Sequence, residues 1–278
     1  AVKRLYRAAK AGHTGSLDPL ASGLLPICLG EATKLSGLLL NADKTYRFTC
    51  RLGATTATGD AEGEIIATQP IGFLNRERVE TALRQFIGPI RQIPPMYSAL
   101  KRDGQPLYKL ARKGIEVERE SREVTVHELH LLRWEGEELE CELRCSKGTY
   151  VRTLAADLGA ALGCGAHIAT LRRIAAEALA CDAARMVTLE VLRARAEQGL
   201  AALDELLLPL DSAVSAWPAV RMQGDAVFFL RQGQPVLVPH APTRGWVRLY
   251  QGEQLFLGIG EILDDGRVAP RRLLAVGS

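Results

Sequence analysis

Residues 12–26 read Gly12-His13-Thr14-Gly15-Ser16-Leu17-Asp18-Pro19-Leu20-Ala21-Ser22-Gly23-Leu24-Leu25-Pro26. The run is polar and glycine-punctuated up to one carboxylate, Asp18, and apolar after it. Three fates are open to such an acid. The commonest for Asp-Pro is a turn or a helix cap. A metal ligand would want a second acid or a histidine cluster at ligand spacing, and none stands there. A lone catalytic carboxylate, nucleophile or base, must stay ionised in a partly buried place. That asks for a cation or hydrogen-bond donors. Thr14, Ser16 and the local amides supply donors, and an arginine from elsewhere in the chain would serve better.

Outward from this stretch, the N-terminal "AVKRLYRAAK" sets Val2, Leu5 and Tyr6 at helical spacing. It begins mid-pattern, without Met and without an apolar signal core, so further upstream residues are expected. On the other side, 31–42 reads as a helix and the alternating "KTYRFTCRLG" as a strand. "GDAEGEIIATQ" reads as a turn and a second strand. In "NRERVETALRQFIG", Asn75 is an N-cap, Val79, Leu83 and Phe86 form a stripe, and Gly88 is the expected stop. Pro94-Pro95 then breaks regular structure, and Pro106 is expected to open a short helix that Gly114 ends. "REVTVHELHLLRW" and "EELECELRCS" read as paired strands, "GTYVRTLAADLGAALG" as a helix and "HIATLRRIAAEAL" as a strand. "TLEVLRARAEQG" is a helix capped by Thr188 and stopped by Gly199. Composition shifts near 207–218. Beyond it, "PAVRM", "QPVLVP", "WVRLYQ" and "QLFLGIGEIL" are short strand-like runs around a helical "GDAVFFLRQG", the pattern of a small β-rich domain.

The chain has 278 residues, 47% hydrophobic and 24% charged, with a formal net charge of +3. That suits an ordinary globular protein of about two domains, or one large one. No apolar run is long enough for a membrane helix, and no membrane partner is expected. If nucleic acid is the partner, the positive charge must be clustered. It is: Lys101, Arg102, Lys109, Arg112 and Lys113 against Asp103 give 101–113 a net +4. The cysteines Cys28, Cys50, Cys141, Cys145, Cys164 and Cys181 are scattered with no CxxC pair, which fits a reduced, cytoplasmic chain. Alternation puts Cys141 and Cys145 on one strand face as buried thiols rather than a metal pair.

"GHTGSLDPLASGLLPICLGEATK" resembles the signature of the bacterial TruB family of tRNA pseudouridine synthases. In order along the chain, "KTYRF", "LGATTATGDAEG", "IPPMYSALKRDGQPLYKLARKG", "SKGTYVRTLAADLG" and "GCGAHIATLRR" are similar to its further motifs, and the tail from about Val214 to a PUA domain. A family strand with a Lys-Pro-x-Gly motif is absent ahead of the first helix. The resemblance implies an α/β (α+β) fold: a mixed, mostly antiparallel sheet flanked by helices, with a catalytic domain over 1–210, an RNA-binding insertion over about 89–122, and a PUA-like domain over 214–278.

The family isomerises uridine 55 of the tRNA T loop without metal or cofactor, by flipping the base into a pocket. By the resemblance Asp18 is the catalytic acid, attacking C1′ or C6 or removing a ribose proton, three roles left open. Tyr46 is the ring that stacks on the uracil, and Arg152 the cation paired with the acid. Tyr150 and Leu171 line the uracil pocket, and His13 positions the T loop. Taken singly, Tyr46, Tyr150 and Leu171 would be core residues, Arg152 a surface cation and His13 a turn residue. The five cations of 101–113 are assigned to RNA phosphates. Arg267, Arg271 and Arg272 are candidates for an acceptor-stem contact. A monomer working without guide RNA is expected. The rivals are a guide-RNA-dependent relative, which the long basic insertion disfavours, and a non-catalytic RNA-binding or RNA-folding protein, which would not need Asp18, Tyr46 and Arg152 together. A glycosidase would want a second acid flanking the bond, and no comparable motif supplies one. Assistance to tRNA folding is compatible with the enzyme reading.

Overall fold

A computed structural model describes residues 1–176, 179–180 and 186–275. Contacts gather the chain into two compact units. One consists of Ser16–Leu24 and Asn41–Ala176. The other combines Ala1–Gly15, Leu25–Leu40 and the described chain beyond Ala176.

The first unit is built on a sheet in which the strands Ala166–Ala176, Lys44–Leu52, Glu138–Cys145, Arg122–Glu135 and Gly88–Gln92 follow one another, each antiparallel to its neighbour. The two residues Ser22–Gly23 add a short parallel pairing on Ala166–Ala176. The alternation read from the sequence is physical. Along Lys44–Leu52, Phe48, Cys50 and Leu52 are buried while Arg47 and Arg51 point to solvent. Cys141 and Cys145 are buried on one face, as expected, and all the described cysteines are free thiols. Cys181, and Glu177 and Ala178 of the expected strand, lie outside the described residues.

Helices Arg76–Arg84 and Val151–Leu162 cover the apolar face, where Val79, Leu83, Leu154, Leu158 and Leu162 meet Phe48, Leu139, Leu143 and Ile168. Close approach of helix to sheet depends on Gly159, where a Cβ would stand 2.2 Å from the Ala166 nitrogen. Asn75 caps the first helix by accepting from the Arg78 amide at 2.8 Å. Gly88 does not stop that helix. It ends at Gln85, and Gly88, at φ 103°, opens the strand Gly88–Gln92. After this strand, Pro94 and Pro95 leave an irregular segment, followed by a tiny ribbon, Lys101–Arg102 with Gln105–Pro106. Helix Leu107–Ala111 comes next, with Pro106 as its N-cap. Its C-cap is Arg112, two residues before the expected stop.

In the other unit, the expected 31–42 helix is a 3₁₀ turn, Gly30–Leu35, continued by the α-helix Ser36–Asn41. Thr188 caps Leu189–Glu197, and Gly199, at φ 108° directly after the C-cap Gln198, ends it, both as expected; the same glycine is the N-cap of a further short helix, Leu200–Asp204. The C-terminal sheet has the order Ala219–Met222, Gly245–Gln251, Leu255–Ile262, Val268–Leu273, the first pair parallel and the rest antiparallel. Helix Asp225–Arg231 packs Val227 and Leu230 into its core. "QPVLVP" is not a strand: only Val236 bridges to Val268, because prolines at both ends of the run remove ladder donors. Among the described residues no helix is long and apolar enough to cross a membrane.

Candidate active site

Asp18 sits on the loop that crosses the first unit before Ser22–Gly23. Its carbonyl accepts from the Ala21 amide at 2.9 Å, closing the turn that Asp-Pro predicts. Arg152 comes from the first turn of Val151–Leu162. The entry to that helix is fixed by a buried side chain, Gln92, which accepts from the Tyr150 amide at 3.0 Å and donates to the Tyr150 carbonyl at 3.3 Å. A glutamine that satisfies both backbone groups of the N-cap residue sets where the next side chain points.

The Arg152 guanidinium is held from three sides. Nε donates to Asp18 Oδ2 at 2.8 Å, Nη1 to the Thr58 carbonyl at 3.0 Å and Nη2 to the Tyr97 carbonyl at 2.7 Å. Nη1 also lies 3.5 Å from Oδ2 of a second acid, Asp60. The Arg152 and Asp60 side chains are each 5% exposed and that of Asp18 34%. One carboxylate is therefore sealed in with the cation, while the other keeps an open side. Asp60 is further tied by Thr58 Oγ1 and by the Glu62 amide at 3.2 Å. A buried guanidinium is tolerated only when its donors are engaged and its charge is met. Here two acids and two carbonyls do this, and the cluster carries one net negative charge.

Tyr46 lies on the same sheet face as Phe48, half-buried. Burial raises its phenol pKa, and the nearby Asp18 charge adds to that, while Arg173 opposes it. Burial likewise raises the Tyr150 phenol, and this ring also feels the charges of Asp18 and Arg152. The structure thus brings Asp18, Arg152, Tyr46 and Tyr150 into one electrostatic neighbourhood. Leu171 is buried opposite Phe48 as part of the core. His13 is exposed at the end of the strand Ala11–His13, in the other unit.

All five cations of 101–113 are exposed, and among the described residues none is ion-paired. Arg102 donates to the Glu118 carbonyl, and Arg112 lies over the Tyr108 ring, 5.6 Å from its centre. In the C-terminal sheet, by contrast, Arg267 pairs with Asp265 at 2.7 Å and Arg271 with Glu261 at 2.8 Å. Arg272 donates to the Arg271 carbonyl at 2.8 Å.

Reading residues alone missed Asp60, Gln92 and Arg173. Asp60 had a signal, since "TGDAEG" is an acid in a glycine-bounded turn like that of Asp18. Among the described residues no group of three or more His, Cys, Asp or Glu side chains is placed to hold a metal ion. A surface depression of about 390 Å³ beside Asn75, Arg78, Gln85 and Leu162 lies at the opposite end of the Arg152 helix, about 15 Å along its axis.

The model of the TruB family pseudouridylate synthase N-terminal domain matches residues 3–151, and models of TruB C-terminal domains match 152–215 and 218–274. The chain is 57% identical over 273 residues to tRNA pseudouridine synthase B of Nitrosococcus oceani, covering 98% of this chain and 88% of that protein. It is 55% identical over 278 residues to the protein of the same name from Ectopseudomonas mendocina, covering 100% and 90%. A solved H/ACA ribonucleoprotein bound to a substrate RNA containing 2′-deoxyuridine contains a chain with the same fold. The TM-score is 0.74 at 23% identity, over 99% of this chain and 79% of that one. By these matches, which run through the Asp18 loop and the Arg152 helix alike, the chain belongs to the TruB family of pseudouridylate synthases.

Proposed function

We propose that the chain converts uridine 55 in the T loop of tRNA to pseudouridine, with Asp18 as the catalytic acid. The observation that carries this reading is the 2.8 Å pair between Arg152 Nε and Asp18 Oδ2, formed across 134 residues of chain inside a family of pseudouridine synthases. The relatives at 55–57% identity are named for tRNA, which supports tRNA as substrate; the chain acts on it as a monomer without guide RNA.

The reaction breaks N1–C1′, turns the uracil and joins C5 to C1′; the hydrogen on C5 leaves as a proton and N1 takes a proton up. Neither atoms nor electrons are added, so no redox partner is called for. Arg152 orients one oxygen of Asp18, and the open side of the carboxylate faces the flipped nucleotide. There it acts on C1′, on C6 or on a ribose proton. Tyr46 offers a ring for the base to stack on, and Tyr150 and Leu171 close the pocket around it. His13 positions the T loop. The cations of 101–113 bind phosphates and supply affinity rather than base choice. The catalytic domain extends over 1–210 with its insertion at about 89–122, and the C-terminal sheet is the core of a PUA-like RNA-binding domain over 214–278. Arg272 is the better candidate there for an acceptor-stem contact, since Arg267 and Arg271 already face carboxylates.

Tritium release from tRNA labelled at C5 of uridine tests this directly. Release by the parent, none by Asp18→Asn and equal tRNA binding by both is the expected result. Binding by both with release by neither would leave an RNA-binding protein in its place.

A further inference from the structure

Arg173 is among the most deeply buried large side chains of the protein, 2% exposed. An apolar side chain could fill that volume without the cost of stripping water from a guanidinium. Leu171, two residues earlier on the same face, does so. A buried arginine must spend its five N–H donors on fixed partners. Two of those partners lie on the two segments that carry the reacting groups.

The first is the exit of the Asp18 loop. Arg173 Nε donates to the Leu24 carbonyl at 2.6 Å, and the Arg173 carbonyl accepts from the Leu24 amide at 2.9 Å. This double link is possible because Gly23, at φ 98°, lies against the Arg173 backbone, where a Cβ would stand 2.2 Å from the Arg173 oxygen. The second partner is Tyr46, the residue directly opposite Arg173 across the strands Lys44–Leu52 and Ala166–Ala176. Partners in an antiparallel pair point to the same face, so the guanidinium stands beside the phenol, whose rise in pKa with burial it opposes.

We propose that Arg173 is a positioning residue for the reaction: one guanidinium fixes both the Tyr46 hydroxyl and the end of the Asp18 loop, and so sets ring and carboxylate in register with each other. Its work is geometric. Catalytic geometry is unforgiving, and a shift of about 1 Å costs about 10²-fold in rate. The glycine at 23 and the arginine at 173 form one device, since the loop docks only where the first leaves room and the second supplies a donor. The proposal rests on the reading of the site given above.

The test is single-turnover tritium release and tRNA binding for the parent, Arg173→Lys, Arg173→Met, Tyr46→Phe and the Tyr46→Phe/Arg173→Met double variant, each first shown to be folded by circular dichroism. Arg173→Met is expected to lose about 10²-fold in rate while binding stays at the parent value. Arg173→Lys, which keeps a donor but not the fork, is expected to recover part of that loss. In the Tyr46→Phe background the same Arg173→Met change is expected to cost less, because one of the two groups it positions is already gone. Independent, multiplicative losses would overturn the proposal, as would loss of melting temperature with the rate of the folded fraction intact. If Arg173→Met does not fold, the cycle is run with Arg173→Lys, and the same two outcomes decide. Failure of the parent to release tritium would instead sink the functional reading itself, and that result is visible before any variant is made.

Discussion

The Arg152 site and the 101–113 segment use the same kinds of side chain in opposite ways. At the site one guanidinium, 5% exposed, is matched by two carboxylates and two carbonyls. In the segment five cations stand in solvent, and among the described residues none has an acid partner. Burial explains the difference. A charge moved out of water carries a penalty of several kcal/mol unless partners replace the lost hydration, so a buried cation arrives already committed. An exposed cation is stabilised by water and salt and stays available for a phosphate. The first arrangement fixes geometry and should govern rate. The second leaves its charges without acid partners and should govern affinity.

The widest separation between the two is expected from Asp18→Asn. It keeps the shape of the loop and removes the charge that the proposed chemistry needs. Single-turnover release should fall by about 10³-fold or more, and tRNA binding should be unchanged. A parallel loss of binding would erase the division of labour.

Arg152→Met should come next and should differ in kind. It strands two acids, one of them buried, so both rate and stability are expected to drop. The stability loss, read by urea denaturation, should be about 3–5 kcal/mol, the cost of breaking a buried pair from one side. Asp60→Asn should sharpen this result. The Thr58 contact can survive, and Arg152 keeps Asp18, so a smaller rate loss of about tenfold is expected with KM unchanged. A full loss of activity would instead make Asp60 a reacting group, the second acid that the sequence did not reveal.

How much of this could be read from residues alone follows from the range of the forces involved. The strands and helices that bear the site came from local patterns: alternation in Lys44–Leu52, the Asn75 cap, and the apolar stripe of Val151–Leu162. Such signals are legible because each residue's fate depends on neighbours a few positions away. Asp18, Tyr46 and Arg152 were found by likeness to a family, since nothing within a few residues of Arg152 says that it will meet Asp18. Gln92 and Arg173 escaped because their roles exist only across chain separations that no local pattern spans, and Asp60 because its glycine-bounded turn does not say which cation it will meet. Gln92 was one polar residue at the end of a strand, and Arg173 one of two adjacent arginines. The expected Gly88 stop fails for a related reason. A glycine with positive φ serves a strand start or a helix N-cap as well as a helix end, and only the surrounding chain decides which.

The smallest effect at low salt, and the one that probes the exposed half of the comparison, is expected from the insertion. Alanine at Lys101 and Arg102 together, and separately at Lys109, Arg112 and Lys113, should raise KM and leave kcat near the parent value. The discriminating readout is the slope of log affinity against log salt. Each cation that meets a phosphate contributes about 0.7–0.9 to that slope, so the triple variant should flatten it by up to about 2–3. Arg102 and Arg112 bear on the outcome individually. Arg102 already donates to the Glu118 carbonyl and Arg112 rests on Tyr108, and each must leave that partner or extend past it to reach RNA. Lys101, Lys109 and Lys113 are expected to carry more of the slope than the two arginines. Equal slopes for all five single variants would mean that the phosphates draw both arginines away from their present contacts. An unchanged slope in every variant would leave these side chains as a solvated face and place the affinity for tRNA elsewhere.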